Sequence, residues 1–240
     1  MTRLFIADLH LNENQPQVTE GFMRFLRDRA HGAEALYILG DFFDAWIGDD
    51  DDSALSREVI HALRTLSDNG TRLYLMHGNR DFLLGKDFTR AAGAELLSDP
   101  SVINLYGRPA LLMHGDSLCT QDKEYMAFRR KVRAPQWQAE VLGMPLEERR
   151  ELARKMRQQS QSMNSNKAQD IMDVTPEEVT KAMRKEKTPL LIHGHTHRPA
   201  RHPLELNGEP AERIVLGDWH DRGWCLVAAP GILNLESWTL

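Results

Sequence analysis

The chain has 240 residues, 41% of them hydrophobic and 27% charged. This is ordinary for one large or two small folded domains and excludes a disordered protein. Its 30 Lys and Arg stand against 35 Asp and Glu, a formal charge of −5, which disfavours a nucleic-acid binder acting through bulk positive charge. Two cysteines, Cys119 and Cys225, cannot staple a domain of this size, so a reducing cytoplasm is the expected setting. No apolar run approaches the ~18 residues of a spanning helix. At the N-terminus the acidic Asp8 comes too early for a signal peptide.

In chain order, short apolar runs end in polar clusters. Leu4–Ala7 runs into Asp8-Leu9-His10, Ala35–Leu39 into Gly40-Asp41, and Leu73–Met76 into His77-Gly78-Asn79-Arg80-Asp81. Ala110–Met113 runs into His114-Gly115-Asp116, Leu190–Ile192 into His193-Gly194-His195-Thr196-His197, and Ile214–Leu216 into Gly217-Asp218. Such runs, bounded by glycine, read as buried strands. Helical spacing predicts helices over 19–30 and 53–67, the second opening on Ser53. Asp49–Asp52 reads as a solvated loop capping that second helix. Strands alternating with helices argue for an α/β layered fold. Runs near 213–218, 224–228 and 231–238 follow closely and predict antiparallel pairing, hence a mixed sheet or a sandwich of two sheets.

Residues 122–188 lack strand patterning. From 123 to 169 there are 11 Lys and Arg against 5 Asp and Glu, so a basic helical insert stands in an acidic core. Arg150, Arg154 and Arg157 share one helical face. A charge run is ordinarily a solvated face; the alternative is a lid for an anionic substrate or membrane surface. Scattered apolar residues of the insert (Phe128, Val132, Trp137, Val141, Leu142, Met144, Leu146, Leu152 and Met156) suit either packing on the core or a chamber for flexible chains.

Taken singly, each polar cluster is weak, because Asp-x-His and Gly-Asp also occur as ordinary turns. As an ordered set at the carboxyl ends of predicted strands, they should converge at one rim, where ligands bind in α/β sheets. Asp8, His10, Asp41, Asn79, His114, His195 and His197 offer two carboxylates, an amide oxygen and four imidazoles. That is too many for one ion with an open position. It suits two ions sharing a carboxylate, which can clamp an in-line displacement at phosphorus. Asp44, Asp81 and Asp116 adjoin these residues and are given supporting roles only. His31, His61, His202 and His220 lie outside the clusters and receive none.

Asp8-x-His10, Gly40-Asp41, Gly78-Asn79, His114 and Gly194-His195-x-His197 resemble the calcineurin-like metallophosphoesterases. The resemblance implies a two-sheet α/β/β/α sandwich of the metallophosphoesterase type, here with a basic helical cap insertion. The expected layout is a core of 1–121 and 189–240 and a cap of 122–188. It further implies one ion on Asp8, His10, Asp41 and His197, and another on Asp41, Asn79, His114 and His195, with Asp41 bridging. The wider superfamily reads Gly-Asn-His where this chain has Arg80. Arginine cannot hand over a proton, but it grips phosphate with parallel hydrogen bonds. A phosphate leaving group needs no such acid, its own pKa being about 6. Arg80 therefore points to a pyrophosphate bond rather than a simple phosphomonoester.

A narrower resemblance, to the family of UDP-2,3-diacylglucosamine hydrolases, covers essentially the whole chain. It rests on Leu36–Asp41 with Ala45–Asp50, on His77–Leu83, on His114-Gly115-Asp116, on His193–Pro199 and on the insert. It implies a lipid A pathway enzyme, peripheral on the cytoplasmic face of the inner membrane. Two Mn²⁺ ions would activate water for attack at the α-phosphorus of UDP-2,3-diacylglucosamine, giving UMP and 2,3-diacylglucosamine 1-phosphate. Asp41, Arg80 and His195 carry the catalytic roles by this resemblance. Substrate contacts fall on Asn79, Arg80, Asp122, Ser160, Asn164, Lys167 and His195, and Tyr125 could stack or hydrogen-bond beside them. The expected partners are the substrate and the anionic inner-membrane surface, with no nucleic acid and no protein partner. A soluble metal-dependent phosphodiesterase or nucleotide pyrophosphatase on the same core is the alternative.

Overall fold

The computed structural model describes residues 1–164 and 173–240, and side chains through 160 and from 173. Strands β1 (Arg3–Ile6), β2 (Ala35–Leu39), β3 (Arg72–Met76) and β4 (Ala94–Leu97) run parallel in one sheet. β10 (Arg222–Ala229) and β11 (Ile232–Thr239) extend it antiparallel, in the order β11-β10-β1-β2-β3-β4. The second sheet contains β5 (Ser101–Leu105), β6 (Arg108–Leu112), β7 (Leu190–His193), β8 (Ala200–Leu206) and β9 (Glu209–Val215), in the order β5-β6-β7-β9-β8. The expected two-sheet sandwich is therefore the architecture found.

The period of two in each strand sorts side chains between layers. In β1, Phe5 faces the second sheet with Tyr37, Leu112, Ile192 and Ile214, forming the core between the sheets. Leu4 and Ile6 face outward to the helices with Phe22, Phe25, Val59 and Leu63. Those helices are α1 (Pro16–Phe25), α2 (Ala54–Asp68) and α3 (Lys86–Ala92). Phe5, Tyr37 and Tyr74 stack across three strands at 4.7 and 4.6 Å between rings. The insert supplies α4 (Lys123–Val132), α5 (Pro135–Leu142) and α6 (Leu146–Asn164), followed by α7 (Pro176–Lys185). Val179 and Met183 of α7 pack with Leu111 and Leu191 on the outer face of the second sheet.

Three expectations need correction. The helix expected over 19–30 begins at Pro16, whose fixed φ and missing donor suit a first turn. It then widens to a π turn at Leu26–Ala30, with the His31 amide donating to Leu26 at 3.0 Å. The segment near 213–218 does not pair with its successors. Its strand, β9, lies parallel to β7 in the second sheet, and the chain crosses to the first sheet before β10. At that crossing Gly217 lies against Trp224, where an added Cβ would meet the ring at 2.5 Å. Finally, the acidic run does not cap α2. Ser53 does so, accepting from the Ser56 amide at 3.1 Å. Asp49 instead accepts from the amides of Gly85, Asp87 and Phe88 at the start of α3. Asp50 pairs with Arg149, and Asp51 and Asp52 with Arg150. On the basic face of α6, Arg150 and Arg157 are thus paired with core carboxylates, while Arg154 stays exposed and pairs with Glu151 of its own helix.

Candidate active site

The polar clusters follow the carboxyl ends of β1, β2, β3, β6 and β7, which meet at one rim of the sandwich. Among the described residues, eight non-glycine residues hold a positive φ. Five of them are predicted ligands: Asp8 (56°), His10 (52°), Asp41 (50°), His195 (69°) and His197 (55°). Left-handed backbone costs an L-residue roughly 1–2 kcal/mol. Its concentration here is strain held at a working site. Packing over-determines these turns. A Cβ on Gly78 would fall 2.1 Å from the Asp41 amide nitrogen, and one on Gly194 2.3 Å from Asp8 Oδ2.

Asp8, Asp41 and His114 are almost fully buried, and His10 is 8% exposed. Asn79 Oδ1 lies 3.0 Å from His114 Nε2 and 2.8 Å from His195 Nδ1. His114 Nε2 is 3.7 Å from Asp41 Oδ1, and His10 Nδ1 is 3.9 Å from Asp41 Oδ2. His10 Nε2 and His197 Nε2 face each other at 3.1 Å, and His197 Nε2 is 3.6 Å from Asp8 Oδ1. All seven predicted residues are thereby brought together. Arg80 joins them with Nε 3.5 Å from Asp41 Oδ2.

The supporting carboxylates act differently from one another. Asp81 accepts from the amides of Gly78 and Phe42, both at 2.7 Å, and ties two ligand loops together. Asp116 accepts from Tyr125 Oη at 2.6 Å and Arg129 Nε at 2.7 Å, so it anchors α4. Asp44 takes Arg80 and Arg157. None of the three holds a ligand histidine. That role falls to the Leu39 carbonyl, 2.9 Å from His114 Nδ1, and to Asp218, 3.6 Å from His197 Nδ1. Asp218 had a signal in the sequence, the sixth strand-end cluster, but its partner was not legible there.

The donor set fits divalent cations. Asp8 Oδ1 and His10 Nδ1 are buried with no hydrogen-bond partner, a costly state for polar atoms unless a cation is to be held. Two groups, Asp8-His10-His197 and Asp8-Asp41-His114, each bring ligand atoms within 4.8 Å of one another. Imidazole, carboxylate and amide oxygen together suit borderline and hard ions.

Protonation follows from burial and neighbours. Burial raises Asp41 to about 6. Burial opposes charge on His114, but Asp41, Asp8 and Asp116 outweigh it and raise His114 to about 9. Burial, with charge on His114, lowers His195 to about 4. His10 is held well below its ordinary value by burial and by Arg80. At pH 7 the metal-free protein therefore keeps a proton on His114, which a cation must displace. Metal loading at pH 7 should release about one proton or more per chain, and affinity should rise with pH up to about 9. Titration calorimetry in two buffers of different ionisation enthalpy measures this; buffer-independent heats would refute it.

Two cavities of about 310 Å³ each meet at Asn79, Arg80, Tyr125 and Ser160. One holds Asp41, His195 and His197 with Asp122, Thr196 and Arg198. The other is walled by Ile47 and Phe82 of the core and by Phe128, Trp137, Val141, Leu152 and Met156 of the insert. Val132 is buried in the core cluster, whereas Leu142 and Met144 are exposed and Leu146 is half-buried. Asp122 lines the polar cavity while its carboxylate caps α4, accepting from the Tyr125 amide at 3.0 Å. Ser160 borders both cavities. Lys167 and the side chain of Asn164 lie outside the described residues.

The calcineurin-like phosphoesterase family model matches residues 1–199. The chain belongs to that family. A protein of Cellvibrio japonicus (strain Ueda107) named UDP-2,3-diacylglucosamine hydrolase is 58% identical to this phosphoesterase over 240 residues, the full length of both. One of the same name from Pseudomonas aeruginosa (strain UCBPP-PA14) is 58% identical over 94% of each chain. A solved structure described as a novel archaeal phosphodiesterase covers all of both chains at a TM-score of 0.50 and 10% identity, a likeness of fold.

Proposed function

We propose that this phosphoesterase hydrolyses the pyrophosphate bond of UDP-2,3-diacylglucosamine, giving UMP and 2,3-diacylglucosamine 1-phosphate for lipid A synthesis. The observation that carries this is the pair of joined cavities. A site of metal-ligand type opens directly into an apolar chamber, as a substrate with a pyrophosphate and two acyl chains requires. The names of the relatives support the same substrate.

We assign Asp8, His10, Asp41 and His197 to one ion and Asp41, Asn79, His114 and His195 to the other, with Mn²⁺ as the metal. When bound, two divalent ions supply the positive charge that activates water and draws phosphoryl oxygens. Asp41 lies between the two halves and offers one oxygen to each side. His195 turns Nδ1 toward Asn79 Oδ1; with Nδ1 given to the ion that Asn79 would share, its proton would sit on Nε2, which would then donate to a phosphoryl oxygen. Arg80 holds a phosphate oxygen without giving up a proton. The departing sugar phosphate needs none at neutral pH.

We assign the cap's function to α4, α5 and α6, and the remaining substrate contacts to Asp122, Ser160, Asn164 and Lys167. Within the expected 122–188 segment, α7 serves the sandwich by its packing on the second sheet. Among the described residues, no helix is long and apolar enough to cross a membrane. Exposed Phe128, Leu142 and Met144 on the basic cap support peripheral contact with the anionic cytoplasmic face of the inner membrane.

The deciding experiment is product analysis in ¹⁸O-labelled water, with metal-stripped protein reloaded with Mn²⁺. Labelled UMP is expected. Label in the lipid phosphate would move the attack to the other phosphorus. No cleavage by protein holding two ions would refute the substrate and favour a soluble phosphodiesterase.

A further inference from the structure

Asp44 stands where the apolar cavity meets the metal-ligand cluster. Its carboxylate is shared by two arginines from different parts of the chain. Arg80, from the loop after β3, donates Nη1 to Oδ1. Arg157 of α6 places Nη2 2.9 Å from Oδ1 and donates Nε to Oδ2 at 3.1 Å. Arg80 and Arg157 both line the cavity beside Asn79. Arg80 Nε also lies 3.5 Å from Asp41 Oδ2, so the two guanidiniums face two carboxylates, Asp44 between them and Asp41 on the side of the ligand cluster. Burial and the neighbouring Arg80 hold the Arg157 guanidinium below its ordinary range, so a further anion there is favourable.

The other carboxylates that hold α6 lie elsewhere. Asp50 takes Arg149, and Asp51 and Asp52 take Arg150, seven or more positions earlier on the helix. They seat the helix, but neither arginine there meets Arg80. At Asp44 alone, among these pairs, seating the cap and aiming a phosphate-facing guanidinium are one contact.

We propose that Asp44 is a positioning residue that sets Arg157 of the cap beside Arg80 of the core, so that the two guanidiniums grip the pyrophosphate together only when α6 is seated. The inference rests on the pyrophosphate substrate proposed above. Asp44 holds the Nε–Nη2 edge of Arg157 and the Nη1 of Arg80. The geometry leaves phosphate oxygens to approach from the cavity side, where bidentate guanidinium contacts are strong. Substrate binding and cap closure are then coupled through one carboxylate.

The test compares Mn²⁺-loaded wild type with D44N, D44E, R157A, the D44N/R157A double variant and R154A. Arg154 is on the same helix but pairs with Glu151 of that helix, so R154A controls for lost helix charge. With UDP-2,3-diacylglucosamine, D44N should raise KM by roughly tenfold or more while kcat stays within about threefold. D44E should recover part of the loss, R154A should match wild type, and D44N should add little to R157A. A second readout needs no turnover: hydrogen–deuterium exchange of α6 with methylenediphosphonate, an uncleavable pyrophosphate analogue. The analogue should slow exchange in wild type and fail to do so in D44N and R157A. If D44N does not fold, D44E and R157A carry the same comparison. Wild-type KM in D44N, or effects of D44N and R157A that multiply in full, would overturn the proposal. Should wild type leave the lipid substrate intact while the analogue protects α6 through Asp44, the substrate reading fails and the positioning role stands.

Discussion

Asp41→Asn lowers turnover by at least ~10³, more than the loss of one preorganised oxyanion donor, and metal content falls from two ions per chain to one or fewer. The substitution keeps the shape of the side chain and removes its charge. Asp41 is 2% exposed and reaches both halves of the cluster, with Oδ1 toward His114 and Oδ2 toward His10. Oδ1 also accepts from the Arg80 amide at 2.9 Å, a contact that an amide oxygen can keep. The loop therefore stays in place while the residue proposed as the shared ligand loses its charge. Elemental analysis after dialysis and turnover with Mn²⁺ in excess check this; a variant with two retained ions and wild-type kcat would remove Asp41 from the bridging position.

Gly78→Ala costs ~10² or more in turnover, because displacements near 1 Å at a catalytic group cost about that much. It also costs about 1–3 kcal/mol of stability, the usual range for an overpacked site. No charge or ligand is removed. The new Cβ would lie 2.1 Å from both the amide nitrogen and Oδ1 of Asp41. The loop cannot retreat freely, because the Gly78 amide is bound to Asp81 Oδ1 and its carbonyl accepts from Arg133 Nη2 at 2.7 Å. Either Asp41 or the neighbouring Asn79 must move. Turnover, metal stoichiometry and thermal melting separate the two losses, and an alanine variant with wild-type turnover would show that the close approach is not needed for catalysis.

Much of the site was legible because its chemistry is written in short local strings. Asp8-Leu9-His10, Gly40-Asp41, Gly78-Asn79, His114 and His195-Thr196-His197 each follow an apolar run. Strand polarity alone sends such strand ends to one rim. The apolar runs at β1, β2, β3, β6 and β7 were equally plain, since a strand buried on both faces needs apolar residues throughout. β4, β5 and β8 were not visible. Their alternating, half-buried residues, such as the pattern along Ser101–Leu105, carry no continuous apolar signal.

The sequence by itself determined the candidate ligand types, their order along the chain, the arginine in place of a proton donor and the basic insert. These are properties of single residues and near neighbours. Only the tertiary structure decided which sheet β9 joins, that Asp49 caps α3, and that Asp218 backs His197. It also decided that Asp44, 113 residues from Arg157, holds that arginine beside Arg80. Each of these is a contact between segments far apart in sequence. Hydrophobic periodicity sets which face of an element is buried, but it does not say which distant charge or amide will lie opposite. That pairing is settled only when the two sheets close and the insert folds back over their rim.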